Sequence, residues 1–543
     1  MTTTEQMLEH RRNKQAQAAA LSAVEGLAVT PTGIVQYSSR GRLLVIGSAA
    51  AQQVAAMVEP PLHAQLLLLE GAEEPGVPVI HAGGRAIRIS GHLGAFRIEL
   101  GDAGKPNHQL VEVDLVLDLG DRPLIQRDIP PPGYWSANND PLEVEDLLAE
   151  LQEMTGTFEK PRFFNYDPDI CAHSRAGREG CSRCLESCPA EAIVSIGDQV
   201  QVDPNLCQGG GICATVCPTG AMRYAYPGPE DSGMRLRLML MHYRMAGGTN
   251  PVVLLVAEAD VSAFQQLPPN VLMIVVEELG SIGIENWLSA LAWGAGAVVL
   301  ADNGSVPGRV RTALAAQVRL AEELLGGMGY PERAIRLLTS PDLEAECRAV
   351  MPSIEPAAYG AMDQKRTMLL FALDHLFDQS GSEIASIGLP DGSPFGQIDV
   401  DRDACTLCMG CTSVCPAKAL EAGNDAPRLV FHESNCVQCG LCEKSCPENA
   451  ISLHARFITD PGRRRIPRLL VEEEPFLCVS CGKPYATRSM IDNMLEKLSG
   501  HYMFQSERAR RRLQMCEDCR VVDAVQDPDA IETGLAPPRN TNS

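Results

Sequence analysis

The sequence has no apolar run long enough to cross a bilayer. Its longest aliphatic stretches, near Val252–Val256 and Val271–Val276, are the size of strands. Near its start, Arg11-Arg12 and Ala16–Ala20 are followed by Glu25, with no strongly apolar segment. No export signal is expected, and a cytoplasmic location is. Aromatic residues are only 5% of the chain, so its cores must be mostly aliphatic. Positive charge is also scarce. The 46 Lys and Arg face 69 Asp and Glu, a formal net charge of -23, which argues against nucleic acid or anionic lipid as a general partner. Residues 461–520 depart from this, with 12 Lys and Arg against 8 Asp and Glu. An acidic surface can steer a basic partner while this basic end orients a different one.

Motifs for substrate chemistry are missing too. Gly47-Ser48-Ala49-Ala50 follows a strand but lacks the three-glycine dinucleotide fingerprint, so a flavin or nicotinamide site in the N-terminal region is disfavoured. No P-loop, nucleophile elbow or paired-histidine metallohydrolase motif occurs. Glu277-Glu278 reads as a solvated strand end. The chain is expected to carry electrons or scaffold other proteins rather than act as an enzyme alone.

Apolar residues are 45% and charged residues 21% of the 543, which is ordinary for a globular chain. That length suggests about three or four domains. The expected class is multidomain α/β and α+β. Residues 1–135 open with a helical lead-in, then alternate strands (Leu43–Ile46, Leu66–Leu69, Ala95–Leu100, Leu110–Leu117) with a helix at Ala49–Val58, as in a small α/β domain. Residues 136–159 read as a helical linker, with Asp140 capping a helix from Pro141. Residues 235–345 lack cysteine. Their aliphatic strands alternate with helices at Glu285–Trp293 and Val310–Leu325, the latter stopped by Gly326-Gly327, as in a flavodoxin-like parallel sheet. Residues 346–395 read as a helical connector, and 526–543 as a mobile tail.

Cysteine is where the sequence is rich. Of 20 cysteines, 19 fall in short-spaced groups, and in a reducing compartment such groups are metal ligands. Residues 396–456 carry Cys405-x2-Cys408-x2-Cys411-x3-Cys415-Pro416 and then Cys436-x2-Cys439-x2-Cys442-x3-Cys446-Pro447. This is the bacterial ferredoxin run, in which three close thiolates wrap one cubane and the fourth crosses to the other. Cys405, Cys408, Cys411 and Cys446 are therefore assigned to one 4Fe–4S cluster, and Cys436, Cys439, Cys442 and Cys415 to a second.

Residues 160–228 carry a degraded copy. Cys171 is followed by a nine-residue insert containing His173, then by Cys181-x2-Cys184-x3-Cys188-Pro189. The partner run is Cys207-x5-Cys213-x3-Cys217-Pro218, with Gly210 where a cysteine is expected. The crossed rule gives Cys171, Cys181, Cys184 and Cys217 a complete 4Fe–4S set. It leaves Cys207, Cys213 and Cys188 as three thiolates, for 3Fe–4S, for 4Fe–4S with a non-cysteine ligand, or for nothing. The phrase Cys-Pro-x-x-Ala closes each of the four runs, so one ferredoxin-like βαβ module with pseudo-twofold symmetry is used twice, flanking the cysteine-free domain. In residues 457–525, Cys478-x2-Cys481 and Cys516-x2-Cys519 suit a tetrahedral zinc knuckle, with a further iron–sulfur cluster as the alternative. Cys347 stands alone and is expected to be buried and inert.

Three stretches, Val271–Glu277, Ile284–Leu300 and Leu324–Leu338, resemble the delta subunit of methyl-viologen-reducing hydrogenases, a family that works beside heterodisulfide reductase. That family passes electrons through a 2Fe–2S cluster whose cysteines are absent here, so the resemblance implies a docking or scaffold role. The whole architecture resembles cytoplasmic polyferredoxin-like 4Fe–4S proteins of bacteria. This implies an electron-transfer partner such as a molybdenum-dependent formate dehydrogenase, or a hydrogenase- or heterodisulfide-reductase-like assembly. The expected cofactors are three or four 4Fe–4S clusters, with 3Fe–4S as the alternative at the incomplete site, and zinc. A maturation or scaffold protein for such an enzyme is the rival reading.

Overall fold

The computed structural model describes residues 3–71, 76–137, 141–338, 343–423 and 426–527. The expected cap Asp140 and nearly all of the expected tail lie outside them. The described residues divide into two units, one within Met1–Cys171 and Ser182–Glu383, the other within Ala172–Cys181 and Ile384–Ser543. Among the described residues no helix is long and apolar enough to cross a membrane.

In the first unit, five parallel strands stand in the order Val79–His81, His63–Leu68, Arg42–Gly47, Leu115–Asp118 and Tyr134–Ser136. The aliphatic run Leu43–Ile46 is central, and its side chains alternate between two cores. Leu43 and Val45 meet Ala51 and Val54 of the helix Ala49–Met57, while Leu44 and Ile46 meet Phe96 and Ile98. Burial on both faces is why the run reads as continuous rather than alternating. Phe96–Leu100 is the middle strand of an antiparallel sheet with Ile87–Ser90 and Gln109–Val113.

The single strand expected at Leu110–Leu117 is therefore two strands in two sheets. They part at Asp114, whose buried carboxylate accepts from the Arg40 N–H (2.8 Å), the Arg42 N–H (3.1 Å) and the Arg42 guanidinium (2.7 Å). Burial works against the charge on Asp114, but the bonds from Arg42 and Arg40 outweigh it and hold the carboxyl below its usual range. The expected helical linker is mostly helix but ends in a strand. After the helix Pro141–Glu153, Gly156–Pro161 runs antiparallel to Ile34–Ser39.

The cysteine-free region forms a four-stranded parallel sheet in the order Val271–Val276, Val252–Ala257, Ala297–Ala301 and Ile335–Leu337. Every residue of Val252–Ala257 and Ala297–Ala301 is buried. The helix Ile284–Ala292 is buried along its whole length. The helix expected to stop at Gly326-Gly327 runs from Gly308 through Gly327 and breaks at Gly329, which has φ +91°. The expected helical connector is mostly irregular until the helix Lys365–Ser380. The helix Thr3–Val24 packs on Pro229–Met245 and buries Ala16 and Ala20, and Asn13 Oδ1 accepts from the Thr249 N–H at 2.9 Å.

Both cysteine-rich blocks use the same small frame. In the first, Phe164–Tyr166 pairs with Met222–Tyr224, a hairpin spans Ile193–Ile196 and Gln199–Val202, and short helices occupy Arg183–Ser187 and Ile212–Val216. In the second, Gly396–Val400 pairs with Ile451–Ile458, a hairpin spans Leu420–Ala422 and Arg428–Phe431, and helices occupy Gly410–Ser413 and Leu441–Lys444. The last described segment is a hairpin, Pro475–Leu477 with Pro484–Thr487, followed by helices Arg488–Leu498, Glu507–Leu513 and Glu517–Val525. The helices Arg488–Leu498 and Glu507–Leu513 are separated by a break that includes Gly500.

Candidate metal centres

The repeated phrase Cys-Pro-x-x-Ala has a structural reason. The alanine N–H donates to the cysteine sulfur four residues before it. These bonds are 3.4 Å from Ala192 to Cys188, 3.3 Å from Ala419 to Cys415, and 3.3 Å from Ala450 to Cys446. At Cys217 the donor is Met222, one residue later, at 3.4 Å. Each turn needs a left-handed residue three after the cysteine, and Glu191, Lys418 and Asn449 take φ of 49°, 50° and 51°, with Gly220 at 74°. A hydrogen bond to sulfur stabilises the charged thiolate and the extra electron of a reduced cluster.

In the second block the eight thiols line two cavities. One is lined by Cys405, Cys408, Cys411 and Cys446, the other by Cys415, Cys436, Cys439 and Cys442. The chain reverses hand twice in each run, at Leu407 and Met409 (φ 51° and 59°) and at Gln438 and Gly440 (φ 54° and 79°). Burial pushes the Cys411 and Cys439 thiols up to about 12. Bare thiolates are thus poorly tolerated here, and bound iron supplies the positive charge that displaces their protons. The residues present fit iron–sulfur clusters.

The first block keeps this backbone where it has lost a ligand. Gly209 and Gly211 take φ of 82° and 67°, two and four residues after Cys207, as in the intact runs. A Cβ on Gly209 would press the Phe163 ring at 3.0 Å, and one on Gly211 would meet Ser281 at 2.3 Å. Gly210 is different. A Cβ there has only Pro189 Cγ within reach, at 3.8 Å, so a cysteine has room. Cys188, Cys207 and Cys213 lie close enough to disfavour one another's charge, and burial drives the Cys213 thiol far up. Tyr166 bonds Cys171 and feels Cys184. His173 is buried in the insert, with Nδ1 3.0 Å from the Cys181 carbonyl, and so serves a loop. Lys444 Nζ donates to the Glu179 carbonyl at 2.8 Å, holding the insert within the second unit.

The sequence reading missed two lysines. Lys160 Nζ donates to the carbonyls of Asn205 (3.1 Å) and Cys207 (2.6 Å). Lys365 Nζ donates to those of Ala214 (2.7 Å) and Thr215 (2.6 Å). Both are distant in sequence from what they touch, and no spacing rule could find them.

In the last segment Cys478, Cys481, Cys516 and Cys519 converge, with all four sulfurs within 4.8 Å of one another and Cys481 Sγ 3.7 Å from Cys516 Sγ. A single tetrahedral ion with bonds of about 2.3 Å sets its sulfurs about 3.8 Å apart, while the thiolates of a cubane, each on a different iron, stand wider. Gly482, at φ +75°, closes the knuckle. Burial opposes the charge on Cys478, but the N–H groups of Cys516, Cys481 and Ser480 outweigh it and hold the thiol below its usual range. Cys347 is buried, its thiol pushed up to about 11 by desolvation. Glu277 and Glu278 are half-buried rather than solvated, and burial raises both carboxyls.

Comparison with known proteins agrees with this geometry. Residues 403–451 and 177–221 each match the 4Fe-4S dicluster domain. A segment of 53 residues is 40% identical to the ferredoxin of Alicyclobacillus acidocaldarius subsp. acidocaldarius, covering 10% of this chain and 68% of that one. The chain belongs to the ferredoxin family. Segments of the chain are also similar to a hydrogenase component and to an oxidoreductase subunit. Hydrogenase-4 component A of Escherichia coli is 38% identical over 55 residues, 10% of this chain and 24% of that one. NADH-quinone oxidoreductase subunit I 2 of Geobacter metallireducens is 36% identical over 69 residues, 11% of this chain and 53% of that one. The chain thus spans about a quarter and about half of these two relatives. Two ferredoxin modules make this a polyferredoxin-like iron–sulfur protein with an electron-transfer role.

Proposed function

We propose that this polyferredoxin is a non-catalytic carrier that relays single electrons between the subunits of a multi-subunit oxidoreductase. The observation that carries the reading is the pair of cavities in the second module, each lined by three thiols of one run and the fourth of the other. One 4Fe–4S cluster is assigned to Cys405, Cys408, Cys411 and Cys446, and another to Cys436, Cys439, Cys442 and Cys415. A third is assigned to Cys171, Cys181, Cys184 and Cys217. Cys188, Cys207 and Cys213 take 3Fe–4S, or 4Fe–4S with a fourth ligand other than cysteine. A bound cluster supplies a centre that gains and returns one electron with little rearrangement. The chain's own residues hold it, keep water from it and donate N–H groups to its sulfurs. Zinc is assigned to Cys478, Cys481, Cys516 and Cys519, which the close sulfur spacing supports.

The hydrogenase and NADH-quinone oxidoreductase relatives support redox subunits as partners. A hydrogenase- or heterodisulfide-reductase-like assembly, or a molybdenum formate dehydrogenase, is the proposed class. A second reading, a maturation scaffold, draws on the parallel sheet whose strands carry no cysteine.

Metal analysis with EPR on anaerobically purified protein, before and after dithionite, separates the two. The carrier reading expects about fifteen or sixteen irons and about one zinc per chain, with every cluster reversibly reduced. Iron near eight, with the first module empty, would favour the scaffold.

A further inference from the structure

The incomplete run of the first module is gripped by two ammonium groups from outside it. Lys160, on the strand Gly156–Pro161, reaches the carbonyl of the ligand Cys207 itself and lies 4.8 Å over the Tyr37 ring. Tyr37 donates its hydroxyl proton to the same Asn205 carbonyl that Lys160 holds, at 2.6 Å. Lys365, the first residue of the helix Lys365–Ser380, is 7% exposed and reaches the carbonyls of Ala214 and Thr215, between Cys213 and Cys217. Thr215 is fixed a second time, its hydroxyl donating to the Gly280 carbonyl at 2.7 Å. The charges facing the lysines are Asp203 at Lys160, and Glu285 at Lys365, 3.7 Å away on the side chain. Glu285 Oε2 has no hydrogen-bond donor, so the Lys365 protons are spent on the carbonyls of the ligand helix.

Adding an electron makes a cluster more negative, and a poorly solvated cation nearby favours that state. A 4Fe–4S cluster held by three thiolates and a neutral fourth ligand also starts with one negative charge fewer than one held by four thiolates. We propose that Lys160 and Lys365 hold the reduction potential of the cluster at Cys188, Cys207 and Cys213 above those of the second module, so that an electron shared between this site and the second module comes to rest here. The step is the transfer of one electron from a reduced low-potential iron–sulfur donor to the oxidised cluster, with no bond made or broken. The lysines act through the backbone that carries the ligands and are positioning residues. The inference rests on the electron-transfer reading above.

The test is an EPR-monitored potentiometric titration of the full-length protein under anaerobic conditions, with the Cys213→Ser variant identifying the signal of this site. In the wild type that signal is expected to be reduced at a higher potential than either signal of the second module. Lys160→Met and Lys365→Met should each shift it to lower potential and leave the second module unmoved, while Lys160→Arg and Lys365→Arg should keep it high. A wild-type order that is level or reversed overturns the proposal, whether or not the methionine variants fold. So does a site without a cluster, or methionine variants with intact clusters and unshifted potentials. If no cluster in the chain is reversibly reduced, the electron-transfer reading itself fails. If all are reduced but the order differs, only this inference does.

Discussion

The two ferredoxin modules share a backbone and differ in ligands. The second carries eight cysteines and accepts left-handed conformations at Leu407, Met409 and Gln438. A residue with a Cβ loses roughly 1–2 kcal/mol in that conformation. The first module has seven cysteines and puts Gly209 and Gly211 at two of the equivalent turns, where Phe163 and Ser281 leave no space for a side chain. The shape of a cluster loop and its ligands are therefore specified separately. The intact module carries left-handed residues with side chains in these turns, while the incomplete run has glycines there and is held by Lys160 and Lys365.

The largest effect that could break this comparison is loss of a whole cluster. Cys439→Ser should remove about four irons from the second module, and Cys213→Ser three or four from the first. Iron content measured against protein concentration checks both. Unchanged iron in Cys213→Ser would mean that the first module keeps the loop without using it.

Restoring the missing ligand comes next. Gly210→Cys should gain about one iron and abolish any 3Fe–4S EPR signal of the oxidised protein, because the pocket at Gly210 has room for the side chain. A wild-type 3Fe–4S signal that persists unchanged would overturn the crossed assignment of Cys188, Cys207 and Cys213.

A smaller effect compares the sulfur hydrogen bonds. Ala419→Pro and Ala192→Pro each remove one N–H donor, to Cys415 and Cys188. Each should lower the potential of its cluster by about 40 mV, the one-electron equivalent of about 1 kcal/mol. Redox titration reads the shift, and equal shifts would mean that the two modules stabilise their clusters alike.

What the sequence made legible follows from where information is local. The cysteine runs and the Cys-Pro-x-x-Ala phrase act within a few residues, so the blocks could be read directly, and the buried strands Val252–Ala257 and Ala297–Ala301 announced themselves as unbroken aliphatic runs. The break at Asp114 was hidden because its cause is a long-range bond to Arg42. The return of Gly156–Pro161 to Ile34–Ser39 was hidden because its hydrogen bonds span more than a hundred residues. Lys160 and Lys365 escaped for the same reason, since a lone lysine in a sequence says nothing about the carbonyl it will meet.

The smallest expected effect isolates the strain itself. Lys418 is exposed and left-handed at φ +50°, three residues after Cys415, where Gly220 stands three residues after Cys217. Lys418→Gly removes the Cβ clash but gives the unfolded chain more freedom, so the net gain should be about 0.5–1 kcal/mol. Gly220→Ala is the mirror experiment. Its new Cβ would sit 3.2 Å from Lys365 Cβ at a φ of +74°, and the variant should lose about 1 kcal/mol or somewhat more. The denaturant midpoint for loss of iron–sulfur absorbance measures both. Opposite signs would show that the turn after each fourth cysteine is a backbone requirement, met with glycine after Cys217 and by tolerated strain after the other three. A Lys418→Gly variant less stable than the parent would mean that the lysine side chain makes a contact worth more than the strain.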